Sequence, residues 1–117
     1  MIYIANKMFP LRIDRKSRAP VELEISLKNQ NSLNKLISYE IVFPEGISVN
    51  TKNKKGSEIF KLGEMVPDEV RTFKYKLLPT SYLGEGTVEL IVRAYEHIGS
   101  YDNLEQTTEK RVQIRVV

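Results

Sequence analysis

The sequence predicts an all-β chain folded as two antiparallel sheets packed face to face, a β-sandwich of seven or eight strands. Three observations carry that prediction. Apolar and polar residues alternate with a period of two in run after run, turn-forming residues separate the runs at short intervals, and no segment keeps a 3.6-residue apolar period over three turns. A closed barrel is the less favoured arrangement of the same strands.

Each element follows from its own residues. A short strand with Leu11 and Ile13 inward precedes Pro20. Val21, Leu23, Ile25 and Leu27 then alternate with Glu22, Glu24, Ser26 and Lys28, the clearest strand with one buried face. Asn29, Gln30, Asn31, Ser32 and Asn34 supply turn chemistry, because short polar side chains bond to nearby backbone and tolerate turn conformations. Ile37, Tyr39, Ile41 and Phe43 form the next alternating set, stopped by Pro44, Glu45 and Gly46, and Ile47 and Val49 continue it briefly. Residues 50–57, with Lys52, Lys54, Lys55 and Gly56, read as an exposed loop before Ile59, Phe60 and Leu62. Phe73, Tyr75 and Leu77 mark a further strand, and Pro79 to Gly86 a loop. Val88, Leu90, Val92 and Ala94 then alternate with Glu89, Ile91, Arg93 and Tyr95. A loop from Gly99 to about Gln106 leads to the last strand, which sets Val112, Ile114 and Val116 against Arg111, Gln113 and Arg115.

The chain has 117 residues, 41% hydrophobic and 28% charged, which suits one domain over 1–117 rather than a disordered chain. A chain of this size buries roughly two-thirds of its surface on folding, enough for a core without covalent staples. There is no cysteine, so disulfides, thiol nucleophiles and thiolate zinc sites are excluded. No apolar run of signal-peptide length opens the sequence and none approaches the ~18 residues of a membrane span, so a cytoplasmic location is expected unless the chain is an excised domain of a surface protein. Residues 1–60 carry 10 basic and 6 acidic side chains, residues 61–117 carry 8 and 9. That asymmetry is too small to imply nucleic acid by itself.

The order of punctuation resembles the immunoglobulin-like modules of the CARDB and NEW3 type over roughly residues 21–116. The resemblance rests on Leu23, Ile25 and Leu27 leading to Asn29, and on Ile41 and Phe43 leading to Pro44, Glu45, Gly46 and Ile47. It continues in Leu62, Gly63 and Glu64 before a strand ending at Pro79, and in Gly86 and Thr87 opening the run Val88 to Ala94. It implies an immunoglobulin-like connectivity and a role as an accessory or adhesive module of larger surface proteins. Unlike an antibody domain, the chain has no cysteine pair and no Trp, and Val88 stands where a tyrosine corner would place its Tyr. Leu23 or Ile25, Tyr39 and Leu90 fill those core sites instead.

The catalytic inventory is thin. The one histidine, His97, follows a strand ending near Glu96 and lies close in sequence to Ser100 and Asp102. No nucleophile-elbow motif surrounds any serine, so an exposed structural histidine and no enzyme are expected. Glu96, Glu105 and Asp102 lack calcium-loop spacing, and no metal or cofactor is expected. Glu22 and Glu24 share one strand face with α-carbons about 6.6 Å apart, and paired carboxylates are what glycoside hydrolysis needs. Under immunoglobulin-like connectivity they instead oppose Lys74 and Lys76 on the neighbouring strand, which explains all four residues as sheet stabilisation. Gly84 and Gly86 are turn glycines, since a strand and not a helix follows them.

The expected function is a non-catalytic protein interaction or adhesion-like module. Leu36, Val42, Ile91 and Tyr95 fall on the outward parity of neighbouring strands around Arg93, and the last strand adds Arg111 and Arg115 to the same face. Apolar area rimmed by Arg is the composition of a protein-binding surface. Coverage of that face by Ile2 to Ile4 is the competing arrangement. The alternative function is weak nucleic-acid or polyanion binding through Arg12, Arg15, Lys16, Arg18, Lys52, Lys54 and Lys55. A protein partner is expected, and a homodimer through either the Ile91 and Tyr95 face or the edge of the strand Lys110 to Val117.

Overall fold

The computed structural model describes residues 1–49 and 57–117, so the sequence's Lys52, Lys54 and Lys55 lie outside the described residues. Nine strands occur among the described residues: β1 (Ile2–Phe9), β2 (Arg12–Ile13), β3 (Val21–Asn29), β4 (Lys35–Val42), β5 (Ile47–Val49), β6 (Ser57–Met65), β7 (Val70–Pro79), β8 (Gly86–His97) and β9 (Leu104–Val116). They form a four-stranded sheet in the order β1-β3-β7-β5 and a five-stranded sheet in the order β2-β9-β8-β4-β6. This is an immunoglobulin-like β-sandwich. Every pairing is antiparallel except the two-residue parallel contact of β2 with β9.

The strand beyond the expected seven or eight is β1. Its alternation is clear only at Ile2 and Ile4, because Asn6 and Met8 take the later inward positions. Ile2 and Ile4 are buried in the core between the sheets, paired along β3, and therefore do not cover the outward face of β8. Leu11, expected inward, is 79% exposed; only Ile13 of that pair enters the core. The expected loop to Gln106 is shorter, since β9 starts at Leu104. Its first residues are exposed on both sides and so carry no apolar alternation.

The core follows the alternation along β3, β4, β8 and β9, with Leu23, Ile25, Tyr39 and Leu90 all buried as expected. Tyr39 is sandwiched between sheets, its ring 4.5 Å from Phe73 and 5.7 Å from Phe60, in stacked geometry. Its hydroxyl lies 3.1 Å from the Tyr75 hydroxyl, which meets the need of a buried phenol for a polar partner. Gly46 has φ +85°, and a Cβ there would sit 2.9 Å from the Leu83 Cα. Thr80 donates both its N–H (2.9 Å) and its hydroxyl (2.8 Å) to the Gly46 carbonyl, so this glycine locks the turn after β4 onto the loop after β7.

The other end is pinned by buried amides. Asn29, which reads as a turn residue, is fully buried at the end of β3 and donates from Nδ2 to the carbonyls of Met65 (2.8 Å) and Leu33 (3.2 Å). Its Oδ1 accepts the Asn31 N–H at 2.9 Å, and Asn31 Nδ2 donates to Glu96 Oε1 at 2.8 Å. A buried carboxylate is thereby held by an amide relay anchored in two strands.

Candidate interaction surface

Register places the outward residues of the five-stranded sheet in rows running across β4, β8 and β9. Val42, Ile91 and Arg111 form one row; Glu40, Arg93 and Glu109 the next; Ser38, Tyr95 and Thr107 a third; Leu36, His97 and Leu104 a fourth. Ile59 of β6 extends the second row and Lys61 the third. Leu36, Val42, Ile91, Arg93, Tyr95 and Arg111 thus share one face. Arg115 lies two rows beyond Arg111, opposite Thr87 and alongside Arg12.

The two central arginines are not a loose rim. Arg93 Nη1 donates to Glu40 Oε1 at 3.0 Å and Arg93 Nε to Glu109 Oε1 at 2.8 Å. Arg111 Nε reaches Glu109 Oε2 at 3.3 Å, Arg111 Nη1 donates to Glu89 Oε2 at 2.9 Å, and Gln113 donates to Glu89 Oε1 at 2.8 Å. The Tyr95 hydroxyl donates to Glu40 Oε1 at 2.6 Å, the length of a charge-assisted bond. One chain of bonds therefore crosses three strands and fixes the long side chains. Hydrogen bonds to Glu40 and Glu109 raise the Arg93 pKa, and the bond from Arg93 is the main cause that lowers the Glu109 carboxyl. Burial, then the bond to Glu40, pushes the Tyr95 hydroxyl up.

Sequence reasoning missed the carboxylates of this network, Glu40, Glu89 and Glu109, and the 65% exposed Ile59. For the three carboxylates parity was the available signal: each shares the outward phase of an already chosen residue on its own strand. The apolar members Leu36, Val42, Ile91 and Tyr95 are half-buried among the charged side chains, leaving Ile59 and, in the fourth row, Leu104 (57% exposed) as open apolar contacts.

His97 departs from expectation. It belongs to β8 itself, is only 9% exposed, and its Nε2 lies 2.7 Å from the Oγ of Ser38, itself 5% exposed. The Tyr101 ring stands edge-on at 5.2 Å, with the Lys61 ammonium 5.1 Å from the Tyr101 ring centre. His97 keeps the outward parity of β8 opposite Leu36, and the Ser38 hydroxyl and the Tyr101 ring packed against it account for its burial, while Glu96 keeps the inward parity of Leu90, Val92 and Ala94. The His97 Nδ1 is buried with no hydrogen-bond partner among the described residues, so the Ser38–His97 pair has no third, orienting group of a nucleophilic triad. A cleft of about 290 Å³ adjoins it, lined by residues that include Leu36, His97, Ile98, Lys35 and Glu105. Lys35 and Glu105 are paired at 3.0 Å, and no group of three or more potential metal ligands occurs among the described residues.

The remaining candidates are structural. Glu22 opposes Lys76 and Glu24 opposes Lys74 on the outer face of the four-stranded sheet, as the connectivity argument requires. Arg15 lies 3.6 Å from Glu85, while Arg12, Lys16 and Arg18 are exposed. Asp14 accepts the N–H groups of Lys16 and Ser17, which holds its carboxyl below the usual value and shapes the turn that carries these basic residues. No helix among the described residues is long and apolar enough to cross a membrane.

No protein-family model matches the chain, and no curated relative matches it. Solved structures do. AvmM, which catalyses macrocyclization in alchivemycin A biosynthesis, is similar with a TM-score of 0.62 and 9% identity, over 97% of this chain and 88% of that one. BslA, a bacterial hydrophobin, is similar with a TM-score of 0.56 and 16% identity, over 99% of this chain and 95% of that one. The ASH / PapD-like domain of human CEP192 gives 0.49 and 11%, over 96% and 84%. At these identities the likeness is one of fold alone, and one fold hosts many functions.

Proposed function

We propose that this chain is a non-catalytic protein interaction module whose contact surface is the outer face of β4, β8 and β9. The observation that supports the reading is the continuous bond chain from Tyr95 through Glu40, Arg93, Glu109 and Arg111 to Glu89. Binding costs side-chain entropy at every flexible contact residue, and here the arginines and the tyrosine are held before any partner arrives. Arg and Tyr are also the residue types that anchor protein interfaces, and Ile59 and Ile91 supply apolar contact beside them. The test is quantitative co-purification from cells of the source organism. Ile91→Glu is expected to lose a stoichiometric partner that the wild type and a control on the opposite face, Thr72→Glu, both retain. Equal recovery with Ile91→Glu overturns the proposal.

A second reading, weak polyanion binding, is favoured by one observation. Arg12 lies alongside Arg115 in the β2–β9 pairing, and like charges set side by side on a sheet are unfavourable unless an anion answers them. Heparin retention that falls steeply between low and moderate salt, and falls less steeply in Arg12→Gln, would favour it; no retention at low salt removes it.

A further inference from the structure

The four sheet edges are not treated alike. β5 is only three residues long. β6 is broken by a register shift opposite Ile37 and Ser38, and Arg71 donates to the carbonyls of Leu62 and Glu64 there. Lys110 Nζ reaches over to the Ile4 carbonyl of β1 at 3.4 Å. Such devices are how natural sheets discourage further pairing. β9 has thirteen residues, and only Arg115 and Val116 pair with β2.

The direction of its free groups follows from its end. Val117 donates its N–H to Ile13 and accepts the Arg15 N–H, both at 2.9 Å, on the side away from β8. The β8–β9 register is unbroken from Val116 back to Gln106, so the same side carries the N–H and C=O of alternate residues: Gln113, Arg111, Glu109 and Thr107. Among the described residues no backbone hydrogen bond meets these groups, and no strand lies beside them.

We infer that this edge pairs antiparallel with β9 of a second copy, on a twofold axis at Thr108, joining the five-stranded sheets of two molecules. The register follows from charge. With Thr108 facing itself, Thr107 faces Glu109 of the second copy and Gln106 faces Lys110, so no like charges meet, and beyond Gln106 the register shift in β9 ends the regular pairing. Centring on Glu109 sets two carboxylates opposite each other. Centring on Lys110 sets two ammonium groups together and drives the second strand into β2 at Arg115. The pairing uses the edge and leaves the outer face free, so it stands independently of the function proposed above.

The protein has no cysteine, so one introduced thiol reports the register directly. Thr108 would occupy a non-hydrogen-bonded site, where facing Cα atoms lie about 4.5 Å apart, within disulfide reach. Under mild oxidation Thr108→Cys is expected to cross-link most of the chain at micromolar concentration, and Gln113→Cys to cross-link almost none. Sedimentation is expected to show a wild-type dimer, weakened at least about tenfold in Thr107→Pro, which removes an outward N–H and no β8–β9 bond. Circular dichroism verifies the fold of that variant; should it fail, the two cysteine variants decide alone. A monomer at all accessible concentrations overturns the inference, as does equal cross-linking of both cysteines. A dimer dissolved by Ile91→Glu moves the self-contact to the outer face and also overturns it.

Discussion

The two outer faces of this sandwich balance their charge with different chemistry. On the four-stranded sheet Lys7, Glu24 and Lys74 stand in one row and Phe9, Glu22 and Lys76 in the next, lining a shallow trough of about 580 Å³. On the five-stranded sheet the row Glu40, Arg93 and Glu109 is cross-bonded, through Tyr95 and Arg111, to its neighbours. Lysine is a hydrated point charge on a flexible stem, whereas the arginine fork fits two carboxylates in fixed geometry. The four-stranded face thus sets Lys and Glu opposite each other by register, and the five-stranded face links Arg, Tyr and Glu into one continuous chain of bonds.

Substitutions in matched positions sharpen the contrast. Each face has a hydroxyl in a side-chain pair: Ser38 with His97, buried at 2.7 Å, and Ser26 with Thr72, exposed at 3.2 Å. His97→Ala is expected to cost about 2–3 kcal/mol in denaturant unfolding, because it leaves the Ser38 hydroxyl buried without its partner and opens a cavity. Thr72→Ala is expected to stay within about 0.5 kcal/mol. Equal costs would erase the distinction between the faces. Next in size, Glu40→Ala is expected to cost about 1–2 kcal/mol through the lost bonds from Tyr95 and Arg93, against about 0.5 kcal/mol or less for Glu24→Ala.

Smaller effects lie in pH. Tyr95 is raised from its ordinary value of 10.0, so its contribution is complete below that value and is lost as pH rises through the folded-state value. Ultraviolet titration of the wild type is expected to show one tyrosinate forming later than in Tyr95→Phe. Glu109 is lowered from 4.5, so its contribution is present above that pH and is lost as pH falls through the lower folded value. Glu109→Gln is therefore expected to flatten the acid side of the stability profile, and an unchanged profile would show that the bond from Arg93 does not persist in solution.

The fold was readable because the core strands alternate: Val21 to Leu27 and Val88 to Ala94 gave the faces and the neighbours that register confirms. β1 escaped because only Ile2 and Ile4 of its eight residues are fully apolar and inward. The start of β9 escaped because both of its sides meet solvent. For the surface, parity placed Ile91, Arg93 and Tyr95 together, but it does not reveal which charges pair. That required register across three strands, which set Glu40 and Glu109 on either side of Arg93. His97 escaped because its burial comes from Ser38 on the neighbouring strand and from the Tyr101 ring after β8, contacts that alternation along one strand does not reveal.

The central claim, that the outer face of β4, β8 and β9 is the contact surface, is tested most directly by site-specific photo-cross-linking in cells of the source organism. A photoreactive side chain at Ile91 is predicted to give one dominant protein adduct that disappears in the Arg93→Glu background, while the same group at Thr72 gives none. Adducts of equal yield at both positions, or an Ile91 adduct indifferent to Arg93→Glu, would contradict the claim.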